Sequence, residues 1–271
     1  MLIDRFGRRI NYLRVSVTDR CNLECSYCVP RRDFVKLAHG SILSLEEIEE
    51  IIKEAVALGI TKVRITGGEP LVRRNVESLI ARIASMEGIE DLGLTTNGTI
   101  LDRFAEKLAS AGLKRVNISL DVLDPVLYGE ITGGGDVNTV LKGIESAKAA
   151  GLGPLKINCI ILPSVPEEER DKIRRFCDDS GLDLQFIAYM NLEEGSGPVE
   201  KTPRAHRPPL CSSCNKIRLT ADGKLFPCLF SPRAVVVREE PSARDAILKA
   251  VGLKDEKGYS FPHESMSRIG G

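Results

Sequence analysis

Asn11-Tyr-Leu-Arg-Val-Ser-Val17 leads without a break into Thr18-Asp-Arg-Cys21-Asn-Leu-Glu-Cys25-Ser-Tyr-Cys28-Val-Pro30. The first part reads as a strand and the second as the loop that follows it. The loop carries three cysteines as C-x3-C-x2-C. Three thiolates on one short loop can hold three irons of a four-iron cluster, and the fourth iron then stays open to chemistry. The alternative is a zinc ion closed by a distant His or Cys. Zinc ribbons favour paired C-x2-C knuckles, so the x3 spacing argues for the open cluster.

Beyond this loop the pattern is strand, helix, strand. Ser44 and Glu47 fit a capping box, and Ile48, Ile51, Ile52, Ala55 and Leu58 follow at helical spacing up to Gly59. Further strands are expected at 62–66, 91–95, 114–120, 155–162 and 183–189, with helices at 75–86, 101–110, 138–150 and 167–180. Repeated βα units mean parallel strands with right-handed crossovers. Six strands are too few for a closed eight-stranded barrel. An open six-unit barrel and a doubly wound sheet both fit, and either collects its chemistry at the C-terminal ends of the strands.

The chain has 271 residues, with 38 basic and 38 acidic side chains, so nothing global argues for nucleic acid or an anionic membrane. An anionic substrate must be met by a local group of cations. No apolar run reaches the roughly 20 residues needed to span a bilayer, and the N-terminus lacks an apolar signal core. A cytoplasmic location is expected, where clustered cysteines more often bind metal than pair.

Of eight cysteines, six fall into two tight groups. Cys159 reads as a core residue and Cys177 is given no role. The second group, Cys211, Cys214 and Cys228, has the spacing C-x2-C-x13-C. Spacing alone leaves two readings: zinc, with His206 as fourth ligand, or a second three-cysteine cluster whose open iron meets substrate. Residues 191–210 are rich in Gly, Pro and charge and read as a wrapping loop. A hairpin is expected around Asp222-Gly223 and a short helix near 242–251.

The first cysteine loop resembles that of the radical S-adenosylmethionine (SAM) superfamily. The resemblance implies a cluster on Cys21, Cys25 and Cys28 whose open iron chelates SAM. Tyr27 matches the aromatic beside the adenine. Thr66-Gly67-Gly68-Glu69-Pro70 matches the contact to the SAM amino group, with Gly68 at its centre, and Ser119 and Met190 match further SAM contacts.

The run Leu210-Cys-Ser-Ser-Cys-Asn-Lys-Ile-Arg-Leu-Thr-Ala-Asp-Gly-Lys-Leu-Phe-Pro-Cys-Leu-Phe230 and the ending Met266-Ser-Arg-Ile-Gly-Gly271 resemble the GTP 3′,8-cyclase family. Those enzymes catalyse the first step of molybdopterin biosynthesis. The resemblance implies an α/β fold, an incomplete (β/α)6 barrel over 1–190, and an extension over 191–271 carrying the second cluster and the tail. It implies two 4Fe-4S clusters, SAM as cofactor and GTP as substrate. Arg14, Arg64, Thr95, Lys156 and Lys216-Ile217-Arg218 fall on the family's GTP contacts, and Gly270 and Gly271 on the tail that reaches the active site. The implied partners are a low-potential electron donor, the next enzyme of molybdopterin synthesis and a second copy of the chain.

The departures lie on the substrate side. Gln185 and Lys216 stand where the family commonly has arginine, Ala188 stands where it has an acidic residue, and the stretch between Met190 and Cys211 is short. They leave open a related two-cluster enzyme acting on a different nucleotide or a peptide.

Overall fold

A computed structural model describes residues 1–28, 35–189 and 211–258. Six strands, β1 Tyr12–Ser16, β2 Lys62–Thr66, β3 Asp91–Thr96, β4 Arg115–Ser119, β5 Leu155–Ile161 and β6 Asp183–Ala188, lie parallel in chain order. The helices between them are α1 Leu45–Ala57, α2 Val76–Ala84, α3 Ala105–Ser110, α4 Pro125–Thr132, α5 Val137–Ala149 and α6 Glu167–Ser180. Strand order β1 to β6 never reverses. Right-handed crossovers then put every helix on the same face, which is the arrangement of a barrel and not of a doubly wound sheet. The sheet stays open, since β6 forms one edge.

After residue 210 the chain returns to the opposite side of β1. Strand β7 (Lys216–Leu219) pairs parallel with it, and β8 (Lys224–Phe226) and β9 (Val235–Val236) continue antiparallel. The hairpin between β7 and β8 turns at Gly223, whose φ of 81° is open to glycine. Helix α7 (Ala243–Gly252) follows. Among the described residues no helix is long and apolar enough to cross a membrane.

Each strand alternates. Leu13 and Val15, Val63 and Ile65, Leu92 and Leu94, Val116 and Ile118, Ile157 and Cys159, and Ile217 and Leu219 are buried in one core with the apolar stripes of the helices. The residues between them face the other way and are mostly polar. Cys177 of α6 is also wholly buried, so both isolated cysteines serve as small core residues.

Local signals explain the helix ends. Both hydrogen bonds of the Ser44–Glu47 capping box form, at 3.1 and 2.7 Å. Helix α4 was not expected from the apolar spacing. It is eight residues long and contains Gly129, but its ends were legible: Asp124 caps Leu127 at 2.9 Å, Pro125 takes the first turn and Gly133 closes it in the left-handed region.

Candidate active site

The first cysteine loop is fastened to its neighbours by backbone. Pairing of β1 with β2 continues past both strands through Val17 N to Thr66 O at 2.9 Å, Gly68 N to Thr18 O at 2.8 Å and Glu69 N to Arg20 O at 2.8 Å. A Cβ on Gly68 would lie 2.4 Å from the Arg20 carbonyl oxygen, and one on Gly67 2.7 Å from that of Thr18. These glycines therefore admit the backbone of the cysteine loop itself, where sequence reasoning expected the approach of a ligand. The far side of the loop rests on the end of α4, with Glu24 N donating to Thr132 O and Ser26 N to Ile131 O, both at 3.0 Å.

Two buried carboxylates hold this arrangement, and sequence reasoning missed both roles. Glu69 is fully buried and accepts from Leu71 N at 3.0 Å, Thr96 Oγ1 at 2.8 Å and Asn97 N at 2.7 Å. Burial pushes its carboxyl up to about 7 in spite of those donors. Asn97 in turn points its amide at Cys21 Sγ, 3.7 Å away, and Leu23 N donates to the same sulfur at 3.4 Å. Asp121 accepts from Tyr27 Oη at 2.8 Å and from Ile160 N at 2.7 Å, tying the cysteine loop to β5.

Cys21, Cys25 and Cys28 are half-buried and electrostatically coupled. Burial, and then the charges of Cys28, Asp121 and Cys21, push the Cys25 thiol up to about 12. Burial raises the Cys21 thiol as well, and crowded thiols of this kind need a cationic partner to deprotonate together. Among the described residues no three metal-ligating side chains converge as they do around one ion. A cluster asks less, because each thiolate takes a different iron. The donor set fits the cluster.

Cys211, Cys214 and Cys228 line a cavity with Arg8, Phe230 and Lys254. A turn bonds Cys214 N to Cys211 O at 3.2 Å, and Phe230 N donates to Cys228 Sγ at 3.4 Å. Arg8 holds the rim. Paired with Asp4 at 2.6 Å, it donates to the carbonyls of Cys211 at 2.7 Å, Asp255 at 2.7 Å and Glu256 at 3.2 Å. Here too three thiols on one cavity suit a cluster with an open iron. His206 lies outside the described residues.

Between the two cysteine groups lies the polar face of the sheet. Register sets Arg64, Arg14 and Arg218 abreast on β2, β1 and β7, about 5 Å apart per strand. Lys216 sits beside Tyr12, its ammonium 5.5 Å from the ring centre. Burial, and then the neighbouring Arg14, push Arg218 down to about 9. Burial also lowers Arg14 and Lys216. Crowded, desolvated cations of this kind are stabilised by an anion laid across them.

Thr95, Asn117 and Lys156 share one register line on β3, β4 and β5, and Ser119 pairs with Asn158 one step on. Thr95 Oγ1 and Asn158 Oδ1 are buried without a hydrogen-bond partner among the described residues, as polar atoms meant for a ligand are. Asn158 was missed by sequence reasoning. Its signal was a polar residue alternating with Ile157 and Cys159.

The structure thus brings Arg14, Arg64, Thr95, Ser119, Lys156, Lys216 and Arg218 onto one face. Ile217 is the exception: its side chain is fully buried on the helix-covered face, so only its backbone can serve the site. Met190, Gly270 and Gly271 lie outside the described residues.

The radical SAM superfamily model matches residues 15–177. Solved structures similar to this chain include Streptococcus suis SuiB bound to S-adenosylmethionine, with TM-score 0.68 at 16% identity over 90% of this chain and 64% of that one. Another is anSMEcpe with bound AdoMet, with TM-score 0.67 at 16% identity over 90% and 78%. At such identity they speak to the fold. The GTP 3′,8-cyclase of Alkaliphilus metalliredigens (strain QYMF) is 41% identical over 318 residues, covering 99% of each chain. That of Geobacter sulfurreducens is 40% identical over 324, covering 100% of this chain and 99% of its own. Relatives sharing two fifths of their residues from end to end share a fold, and the chain belongs to the GTP 3′,8-cyclase family of the radical SAM superfamily.

Proposed function

We propose that the chain converts GTP to (8S)-3′,8-cyclo-7,8-dihydroguanosine 5′-triphosphate, the first step of molybdopterin biosynthesis. The observation that carries this is the row Arg64, Arg14 and Arg218, an anion site at the base of the polar face, whose strand β7 begins two residues after Cys214. Cys21, Cys25 and Cys28 would hold one 4Fe-4S cluster and Cys211, Cys214 and Cys228 the other. When bound, the first cluster with SAM supplies a 5′-deoxyadenosyl radical, and the second cluster supplies an open iron for the purine.

The protein's own work is placement. In this reading Tyr27, the Gly68 backbone, Ser119 and Met190 hold SAM over the strand ends. Arg14, Arg64, Lys156, Lys216 and Arg218, with Thr95 and the Ile217 backbone, hold the triphosphate and keep the ribose facing the first cluster. The same reading counts Gly270 and Gly271 among the catalytic residues. Residues 1–190 carry the SAM side and 191–271 the second cluster. The reading includes a low-potential electron donor, contact with the next enzyme of the pathway, a homodimer and a cytoplasmic location.

The test is anaerobic reaction of reconstituted protein with SAM, dithionite and GTP. A cyclised nucleotide and 5′-deoxyadenosine in equal amounts are expected. SAM cleavage only with another substrate would sink the assignment. A second reading, a different nucleotide or a peptide as substrate, is favoured by Gln185, which stands beside Asn158 on β6 where the family commonly has arginine. A panel of nucleoside triphosphates in the same assay separates the two.

A further inference from the structure

Lys254 is 2% exposed and is among the largest fully buried side chains in the protein. It follows α7 on the same stripe as Ala246, Ile247, Ala250 and Val251, a position that packing would normally give to an apolar residue. Its ammonium donates to Lys216 O at 2.8 Å and Pro227 O at 2.7 Å, and points at Cys214 Sγ, 3.9 Å away. Lys216 is two residues past Cys214, and Pro227 immediately precedes Cys228. One cation therefore grips both segments that carry the second cysteine group. Among the described residues it forms no ion pair with a carboxylate, although a buried charge without a counter-charge is costly. Two carbonyl dipoles meet part of that need. The acidic groups that act on it are Cys214 and Cys228 and, more weakly, Asp4, which is already paired with Arg8.

We infer that Lys254 is a positioning residue for the second cluster, the buried cation that ties together the two segments carrying its cysteines and sets its reduction potential. The inference rests on the reading of Cys211, Cys214 and Cys228 as cluster ligands. An electron added to the cluster adds one negative charge beside a fixed ammonium. The reduced form is therefore favoured more than the oxidised one, and removing the cation lowers the potential.

The experiment uses the full chain with Cys21, Cys25 and Cys28 changed to alanine, so that only the second group can hold iron. Lys254→Met, Lys254→Gln and Lys254→Arg are made in that background, and far-UV circular dichroism checks that each is folded. After anaerobic reconstitution, iron and sulfide are counted and the cluster is titrated reductively with electron paramagnetic resonance as readout. Four irons per chain in the parent, a lower midpoint in the two neutral variants and a midpoint near the parent's in Lys254→Arg are expected. Loss of the cluster in both neutral variants but not in Lys254→Arg supports the same inference, since charge is then what the site requires. An unchanged midpoint in a loaded neutral variant overturns it. So does loss of the cluster in Lys254→Arg as well, because shape and not charge would then be the requirement. A parent without iron overturns the cluster reading beneath it.

Discussion

The guanidinium of Arg64 lies flat against Gly93 on the neighbouring strand. A Cβ on Gly93 would stand 2.7 Å from Arg64 Cζ. With that space open, Arg64 crosses β3 to donate to Leu94 O at 3.2 Å and Asn117 Oδ1 at 2.8 Å, with Tyr12 Oη 3.3 Å from its Nε. The glycine is thus part of the proposed anion site although it contributes no atom to it.

Gly93→Ala should displace Arg64 and break its bond to Asn117. Losing a buried charge-assisted hydrogen bond costs about 2 kcal/mol. GTP binding by titration calorimetry should weaken about tenfold or more, a step of about 1.4 kcal/mol. Unchanged binding in a folded variant would remove Arg64 from the proposed triphosphate site.

Gly68→Ala should disrupt the first cysteine loop. The clash is with the Arg20 backbone, and no side chain can swing aside to relieve it. Iron content after reconstitution should fall by about half, the second group keeping its share. Retention of both clusters in Gly68→Ala would contradict the packing role given to this glycine.

Tyr27→Phe removes the hydrogen bond to the buried Asp121 carboxylate. A bond to a charged group contributes about 1.5–3 kcal/mol, so urea unfolding of the metal-free chain should register a loss of that order. Asp121, pushed up to about 6 by burial and held down by Ile160 N–H and Tyr27, should titrate at still higher pH in the variant. A variant as stable as wild type would show that the loop needs no anchor on β5.

Glu69 gives a pH dependence of definite sign. Its carboxyl titrates at about 7 in the folded chain against 4.5 for an ordinary glutamate. Between those values the folded state binds more protons than the unfolded one, so stability falls as pH rises through this window and levels off above it. The loss is about 3 kcal/mol at about 1.4 kcal/mol per unit. Glu69→Gln carries no such term, so the wild type's stability relative to the variant should decline from pH 4.5 to 7.5. A difference that grows with pH would mean that the carboxylate form is the stabilised one.

Much of the plan was legible in the sequence. The βα alternation is written in apolar spacing and in helix caps such as Ser44–Glu47, because these are local interactions. The two cysteine groups were legible for the same reason, as ligand spacing on one loop is a local property. Helix α4 escaped because its apolar stripe is short, although Asp124-Pro125 marked its start. Asn97, Asp121 and Lys254 escaped because each acts on a residue dozens of positions away, and nothing near them in the chain records it.

By itself the sequence determined most element types, the repeated βα units and the six thiols that come in two threes. These depend on contacts within a few residues. The choice of an open barrel over a doubly wound sheet waited for the strand order. Only the tertiary structure decided which side chains share a face and which stand abreast. Register placed Arg64, Arg14 and Arg218 in one row across three strands and turned Ile217 into the core, and the packing of α7 set Lys254 beside Cys214. Parallel pairing joins Arg14 to Arg64 fifty positions on and to Arg218 some two hundred positions on, and a shift of one residue would send every one of those cations to the other face.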